Sequence, residues 1–209
     1  MAVALEQLTV ADAPEAWRAC GFEVVGEECV VDGVRIRFAP RDGARGIAGW
    51  SLSGVDSNDL DGLPTTTSQE QAPGERSEHP NGVNGLDHVV AISSDLDRTV
   101  AALSAAGLEL RRLREEPTPA GAPRQAFFLL GRAILEVVQE PPEVTAKKGD
   151  RPAFFWGLAF VAPDLERTVA YLGEDRVSEI RPAVQPGRRI ATLRRGAGLS
   201  VPVALMSPR

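Results

Sequence analysis

Two stretches of the chain share one pattern of apolar and polar positions. In each, a short apolar run rich in β-branched and aromatic residues, 89–92 or 158–161, is followed by an aspartate, Asp95 or Asp164. Apolar residues then recur at helical spacing. They are Leu96, Val100 and Leu103 in the first copy and Leu165, Val169 and Leu172 in the second. The pattern predicts a strand followed by an amphipathic helix that the aspartate caps.

The two stretches are also related in sequence. Residues 96–101 read LDRTVA and residues 165–170 read LERTVA, so five of six pairs 69 positions apart are identical. Further strand-like runs follow each helix, at 108–113, 125–130 and 133–139 in the first copy and at 177–180, 189–193 and 199–206 in the second. The chain therefore contains a repeated β-α-β-β-β module.

A third copy is predicted at the N-terminus from element order. It has a strand at 3–10, a helix at 14–20 and strands at 22–31, 34–38 and 47–54. Asp32-Gly33 between two β-rich runs indicates a tight hairpin turn. The resulting fold class is α+β, with modules at 1–55, 85–140 and 153–209.

The modules are separated by polar segments. Residues 56–84 are rich in Ser, Thr, Pro, Gly and acids, which predicts a flexible linker in which His79 is solvated. A shorter break covers residues 141–152. We expect the middle module to pair with the C-terminal one. The unpaired N-terminal module could close on these two or pair with the same segment of a second chain. We favour the second arrangement, a homodimer.

Composition narrows the partners. The 209 residues are 43% hydrophobic and carry a net charge of −6. The negative charge argues against sequence-independent binding of nucleic acid. The N-terminus does not resemble a signal peptide, and no apolar run approaches the ~18 residues of a membrane span. Cys20 and Cys29 show no metal or disulfide spacing. These features predict a cytoplasmic protein whose partner is neither nucleic acid nor a membrane.

The opening segment LDHVVAISSDLDRTVAAL and the closing strand AILEVVQE resemble modules of the glyoxalase-like (vicinal oxygen chelate) superfamily. The resemblance implies that two modules form a cupped, mostly antiparallel sheet with helices on the outside. It also implies a divalent metal in the cup, held by the first and last strands of each module. The superfamily includes glyoxalases, dioxygenases, epimerases, thiol transferases and bleomycin-binding proteins, so the fold alone does not give the reaction.

His88 and Glu136 are the candidate metal ligands, and Glu136 is also the candidate catalytic base. The pair suits Zn, Mn, Ni or Fe, but a catalytic metal needs about three protein ligands. The position 69 residues after His88 is Gly157, and Pro202 or Val201 is expected near the position equivalent to Glu136. Glu6, Gln7 or a second copy of the chain would have to complete the set. A metal-free cup and a purely structural role for the pair therefore stay open.

Other candidate ligand-binding residues lie on two hairpins and two strands. They are Arg124, Gln125, Phe127, Trp156, Gln185, Arg188 and Arg189. The arginines could bind a carboxylate or phosphate, or could instead pair with surplus acids on the surface. The resemblance and the incomplete ligand set leave two functions open. One is a small-molecule binding protein with an incomplete metal site, and the other is a metal-dependent lyase, isomerase or dioxygenase-like enzyme.

Overall fold

The computed structural model describes residues 2–40, 43–69, 77–118 and 121–209. One sheet has five strands, which are β1 (Ala4–Val10), β2 (Glu28–Val31), β3 (Val34–Phe38), β4 (Ile47–Ser53) and β5 (Thr65–Thr67). A larger sheet has eight, which are β6 (Gly85–Ser93), β7 (Leu110–Arg114), β8 (Gln125–Leu130), β9 (Ala133–Gln139), β10 (Phe154–Val161), β11 (Arg181–Pro182), β12 (Arg189–Thr192) and β13 (Val203–Met206). The helices are α1 (Pro14–Ala19), α2 (Leu96–Ala105), α3 (Pro142–Lys148) and α4 (Leu165–Leu172).

The eight-stranded sheet has the strand order β11-β12-β13-β10-β6-β9-β8-β7. Within each half the first and last strands pair in parallel, β6 with β9 and β10 with β13. The halves join where β6 and β10 pair antiparallel at the centre. The predicted α+β class with a mostly antiparallel sheet is confirmed.

The caps of α2 and α4 follow the sequence pattern. The side chain of Asp95 accepts a hydrogen bond from the backbone N–H of Arg98 at 3.0 Å, and Asp164 accepts one from Arg167 at 2.9 Å. These contacts satisfy amide groups that the first helical turn leaves unpaired. The predicted strand-to-helix step is therefore present in both halves.

The two faces of the large sheet differ in exposure. On β6, Val89 and Ala91 are fully buried, whereas the alternate residues His88, Val90 and Ile92 are half-buried. Helices α2 and α4 cover the buried face, and the small sheet packs there as well. The other face stays open and forms the cup.

Aromatic contacts fix the small sheet to the back of the large one. Trp17 of α1 lies 6.0 Å from Phe160 of β10 between ring centroids, and Trp50 of β4 lies 4.9 Å from Phe155. The N-terminal segment thus closes on the other two within one chain. The homodimer stays a prediction.

The N-terminal segment differs from the predicted module in its closing strand. The parallel partner of β1 is β3, with Gln7 opposite Arg35, and β4 pairs antiparallel with the other edge of β1. Residues 47–54 therefore lie beside β1 as β10, the opening strand of the C-terminal module, lies beside β6 in the large sheet. Element order could not reveal this, because strand pairing is a long-range property. The predicted turn is confirmed, since Asp32 and Gly33 have φ of 49° and 84° and join β2 directly to β3.

The expectation of a flexible linker at 56–84 is wrong for its described part. Residues 65–67 form β5 beside β4, and Leu60 and Leu63 are 0% and 2% exposed. Asp61 also forms an ion pair with Arg98 of α2. Two leucines and one partly buried ion pair anchor this segment despite its polar composition. Residues 70–76 lie outside the described part of the chain.

His79 also departs from the expectation that it is solvated. It is 7% exposed and packs against the ring of Phe22. Its Nδ1 accepts a hydrogen bond from the backbone N–H of Glu23 at 3.0 Å. Burial lowers the pKa of His79. This residue therefore joins the linker to the core of the N-terminal segment.

Smaller differences concern the C-terminal half. Residues 177–180 are not a strand, and only Val177 forms an isolated bridge, to Leu193. The last strand begins at Val203 because Pro202 has no amide hydrogen to pair. The break at 141–152 contains helix α3. None of the helices in the described ranges is long and apolar enough to cross a membrane.

Candidate functional site

A cavity of about 350 Å³ opens on the exposed face of the large sheet. The middle module supplies a polar floor and the C-terminal module a largely apolar wall. The lining residues are His88, Arg112, Arg114, Glu116, Gln125, Phe127, Glu136, Ala183, Val184, Gln185, Pro186, Ile190 and Met206. This size and mixture are typical of small-molecule sites.

A bulge in β6 shapes the floor of this cavity. His88 pairs with Ala159 of β10, but the next pair is Leu86 with Phe160, so Asp87 has no partner in the ladder. Such bulges re-aim side chains beside functional sites. The bulge brings the carboxylate of Asp87 within 2.8 Å of His88 Nδ1, although neighbouring strand residues normally face opposite ways.

Asp87, His88 and Glu136 form a connected series. On its other side, His88 Nε2 lies 3.3 Å from Glu136 Oε2. Because the ionised Asp87 can only accept, His88 Nδ1 must carry the hydrogen of that contact. In the neutral imidazole Nε2 is then an acceptor, so it can accept a hydrogen bond from the carboxyl of Glu136 when that carboxyl is protonated.

The two carboxyl groups have opposite pKa shifts. Burial raises the pKa of Glu136, against the opposing influences of His88 and Gln125. Burial would also raise the pKa of Asp87, but hydrogen bonds from His88 and Arg188 outweigh it and hold that pKa well below its usual range. Asp87 is therefore a fixed anion, whereas Glu136 is suited to exchange a proton.

Gln125 connects the floor to the neighbouring strand. Its Nε2 donates a hydrogen bond to Glu136 Oε1. Its Oε1 is buried and has no hydrogen-bond partner. A buried amide oxygen without a partner is costly, so this atom is a candidate contact for a ligand donor or a cation.

Arg188 holds the hairpin between β11 and β12, which covers one side of the cavity. Its two terminal nitrogens donate to Asp87 at 2.8 and 3.1 Å, and its Nε and one terminal nitrogen donate to the carbonyl of Ser207 at 2.9 and 2.8 Å. It also donates to Gln185 Oε1 at 2.8 Å. Arg188 is only 5% exposed, so it positions the hairpin and does not itself line the cavity.

The predicted ligand-binding residues are divided by the structure. Gln125, Phe127 and Gln185 line the cavity. Arg124 instead pairs with Asp97 of α2, and Arg189 pairs with Glu166 of α4. These two arginines occupy matching positions in the two modules and face the helices. Alternation explains why, because Gln125 already faces the cup and its neighbour must face away.

Trp156 does not line the cavity. It is the unpaired residue of a second bulge, 69 positions after Asp87, and is 53% exposed. The residues that the sequence analysis missed are Asp87, Arg112 and Arg114. Alternation in the segment LRRLR could have suggested that Arg112 and Arg114 share a face, but the sequence does not show which face is the cup.

The residues fit a metal ion only in part. Within the described ranges, no group of three or more His, Cys, Asp and Glu side chains could hold one. His88 and Glu136 would supply two ligands, and the unpaired oxygen of Gln125 is a further candidate donor near them. Glu6 cannot contribute, because it binds Ser53 Oγ at 2.5 Å in the other sheet.

The C-terminal half offers no ligand at the matching positions. Ala159 lies 69 positions after Val90 and is its equivalent in the C-terminal half. Val90 pairs with Glu136 and Ala159 pairs with Ala204, so Ala204 is the equivalent of Glu136. The expectation of Pro202 or Val201 there was wrong by a shift in the strand alignment. Gly157 does take the place of His88, and a Cβ on it would lie 2.6 Å from the carbonyl oxygen of Pro202.

Comparison with known proteins gives matches to solved structures alone, since no family model and no curated protein matches. Methylmalonyl-CoA epimerase from Mycobacterium tuberculosis has a TM-score of 0.49 and 22% identity over 61% of this chain and 90% of that one. A hypothetical protein from Bacillus halodurans has a TM-score of 0.47 and 18% identity over 59% and 94%. Streptomyces coelicolor methylmalonyl-CoA epimerase, in complex with 2-nitronate-propionyl-CoA, has a TM-score of 0.46 and 21% identity over 60% and 94%. At these values the function has to be argued from the site itself.

Proposed function

We propose that the protein binds a small organic molecule in the cup of the large sheet, which the middle and C-terminal modules form together. The observation that carries this proposal is the cavity of about 350 Å³, where a buried polar floor faces an apolar wall. Pockets of this kind bury the apolar part of a ligand, and a few polar groups fix the orientation of that ligand.

The floor supplies three different hydrogen-bonding groups within one patch. Glu136 can donate or accept as its proton moves, Gln125 offers an unpaired oxygen, and His88 is held by Asp87. The opposite wall contains Ile190 and Met206, which give a ligand no polar contact. A carbonyl, hydroxyl or amide group of the ligand would therefore face the floor.

The test uses a neutral probe, N-phenyl-1-naphthylamine, whose fluorescence increases in apolar surroundings. Wild-type protein should bind it saturably with one site. Ile190→Trp fills the cavity and should weaken binding at least about tenfold. Val25→Trp is the matched control, because Val25 is 75% exposed and lies outside the cup. Absence of saturable binding to the wild type, or equal binding to Ile190→Trp, would contradict the proposal.

A metal-dependent isomerase or lyase is the second candidate. It is favoured by the 3.3 Å between His88 Nε2 and Glu136 Oε2 together with the unpaired oxygen of Gln125. These three residues would hold the ion, which would polarise a carbonyl oxygen of the substrate. The contact of Asp87 with His88 Nδ1 resembles the carboxylate support of metal-bound histidines.

The two candidates are separated by metal analysis. Protein purified without a His tag is incubated with Zn²⁺, Mn²⁺, Ni²⁺ or Fe²⁺, desalted and measured by elemental analysis. One equivalent of metal that is lost in His88→Ala and kept in His79→Ala supports the second candidate. No retained metal with any of the four ions removes it and leaves the binding function.

A further inference from the structure

Two arginines of the edge strand β7 face the cup. Arg112 pairs across the ladder with Phe127, and Arg114 pairs with Gln125. Both partners line the cavity, as do the two arginines themselves. Residues directly opposite on paired strands point to the same face, so the row of positive charge lies beside the polar floor.

These arginines are less fully paired with carboxylates than nearby arginines are. Within the part of the chain that the structure describes, the guanidinium of Arg112 makes no hydrogen bond or ion pair. Arg114 lies 3.9 Å from Glu116, and its buried Nε has no hydrogen-bond partner. In contrast, Arg111 pairs with Glu109 at 3.1 Å, and Arg124 is held by two carboxylates.

Among the described residues, the acids that line the cavity do not hold these arginines by hydrogen bonds. Glu116 is 82% exposed and lies 3.9 Å from Arg114, and the carboxyl of Glu136 already contacts His88 and Gln125. An anion at the arginines would satisfy the unpaired guanidinium groups without displacing the floor contacts.

We propose that the ligand of the cup is a carboxylic acid with an apolar body. Its carboxylate binds Arg112 and Arg114, and its body lies between Phe127 and the wall formed by Ile190 and Met206. This inference rests on the proposed binding function and names the ligand class for the same site. It assigns the selectivity to two residues of an edge strand.

The experiment compares two ligands of nearly the same shape, 1-naphthylacetic acid and 1-naphthylacetamide, as competitors of N-phenyl-1-naphthylamine at neutral pH. Wild-type protein should bind the acid at least about tenfold more tightly than the amide, because hydrogen bonds to charged groups are the stronger ones. The preference should weaken as the salt concentration rises.

Arg112→Gln and Arg114→Gln should each weaken binding of the acid by a larger factor than binding of the amide or the neutral probe, so that the preference for the acid falls. Arg111→Gln is the matched control on the same strand and should keep the preference, because Arg111 pairs with Glu109 outside the cup. Circular dichroism checks that each variant is folded.

The outcomes separate this inference from the proposed function. If the acid and the amide bind equally, or if the acid fails to displace a neutral probe that does bind, the carboxylate assignment is overturned and the cup is a site for neutral ligands. If Arg111→Gln removes the preference as strongly as Arg112→Gln, general surface charge explains the effect and the assignment is overturned as well. Failure of the neutral probe itself counts against the binding function.

Discussion

Asp87 and Arg188, 101 residues apart in sequence, form a two-point ion pair at 2.8 and 3.1 Å. Both side chains are nearly enclosed, at 4% and 5% exposure. Through Asp87 the pair contacts His88, and through Arg188 it contacts Gln185 of the hairpin and Ser207, the residue after β13. One buried contact thus joins the two modules directly beneath the cup.

Removal of either partner should destabilise the protein strongly. Asp87→Asn and Arg188→Gln should each lower the free energy of unfolding by about 3 kcal/mol, because each leaves a buried charge without its partner. Denaturant unfolding measures the effect. Asp97→Asn, which alters an exposed ion pair with Arg124, is the matched control and should change stability little. A loss at Asp87 no larger than at Asp97 would contradict the prediction.

The stabilisation by Asp87 should depend on pH in one direction. The pKa of Asp87 is lower in the folded protein than the value of about 3.9 in an unfolded chain. Its contribution is therefore complete above the unfolded pKa and is lost as pH falls through the folded one. The stability difference between wild type and Asp87→Asn should shrink as the pH falls below about pH 4. A difference that grows over that range would have the wrong sign.

The acidity of Glu136 should depend on Gln125. The hydrogen bond that Gln125 donates lowers the pKa of Glu136 against the larger effect of burial. Gln125→Leu keeps the size of the side chain and should raise that pKa further. A ¹³C-carboxyl NMR titration measures it, with Gln185→Leu as a control that lines the cavity without touching Glu136. An unchanged pKa in Gln125→Leu would show that this hydrogen bond does not form in solution.

Two glycines should differ in their tolerance of a methyl group. Gly157→Ala should destabilise the protein by about 1–3 kcal/mol, because its Cβ would lie 2.6 Å from the carbonyl oxygen of Pro202. Gly85→Ala, at the start of β6, should change stability far less, since the nearest side-chain atom lies at 3.6 Å. Thermal and denaturant unfolding of both variants test this. Equal stability of the two variants would mean that Pro202 moves aside easily.

The sequence predicts what depends on local pattern. Helical spacing and the caps at Asp95 and Asp164 define the strand-helix step, and Asp32-Gly33 defines a turn. The common face of His88 and Glu136 also follows from alternation, because both strands are regular at that point apart from one bulge.

The rest depends on contacts between distant parts of the chain. The bulge at Asp87 breaks the two-residue period, so no periodic pattern shows that its carboxylate reaches His88. The pairing of β1 with β3 is decided by how the N-terminal segment packs behind the large sheet. The partner of an arginine can also be distant in sequence. Arg124 pairs with Asp97 of helix α2, whereas Arg112 faces the cup.

The contact between Gly157 and Pro202 limits how far the site could be engineered. A histidine at position 157 would meet the backbone oxygen of Pro202, and the position equivalent to Glu136 is Ala204. A symmetrical ligand set would therefore need two substitutions and a displacement of the backbone at Pro202, and the substitution at Gly157 is unfavourable on its own. A second site is thus harder to build in the C-terminal copy than changes to the chemistry of the middle copy.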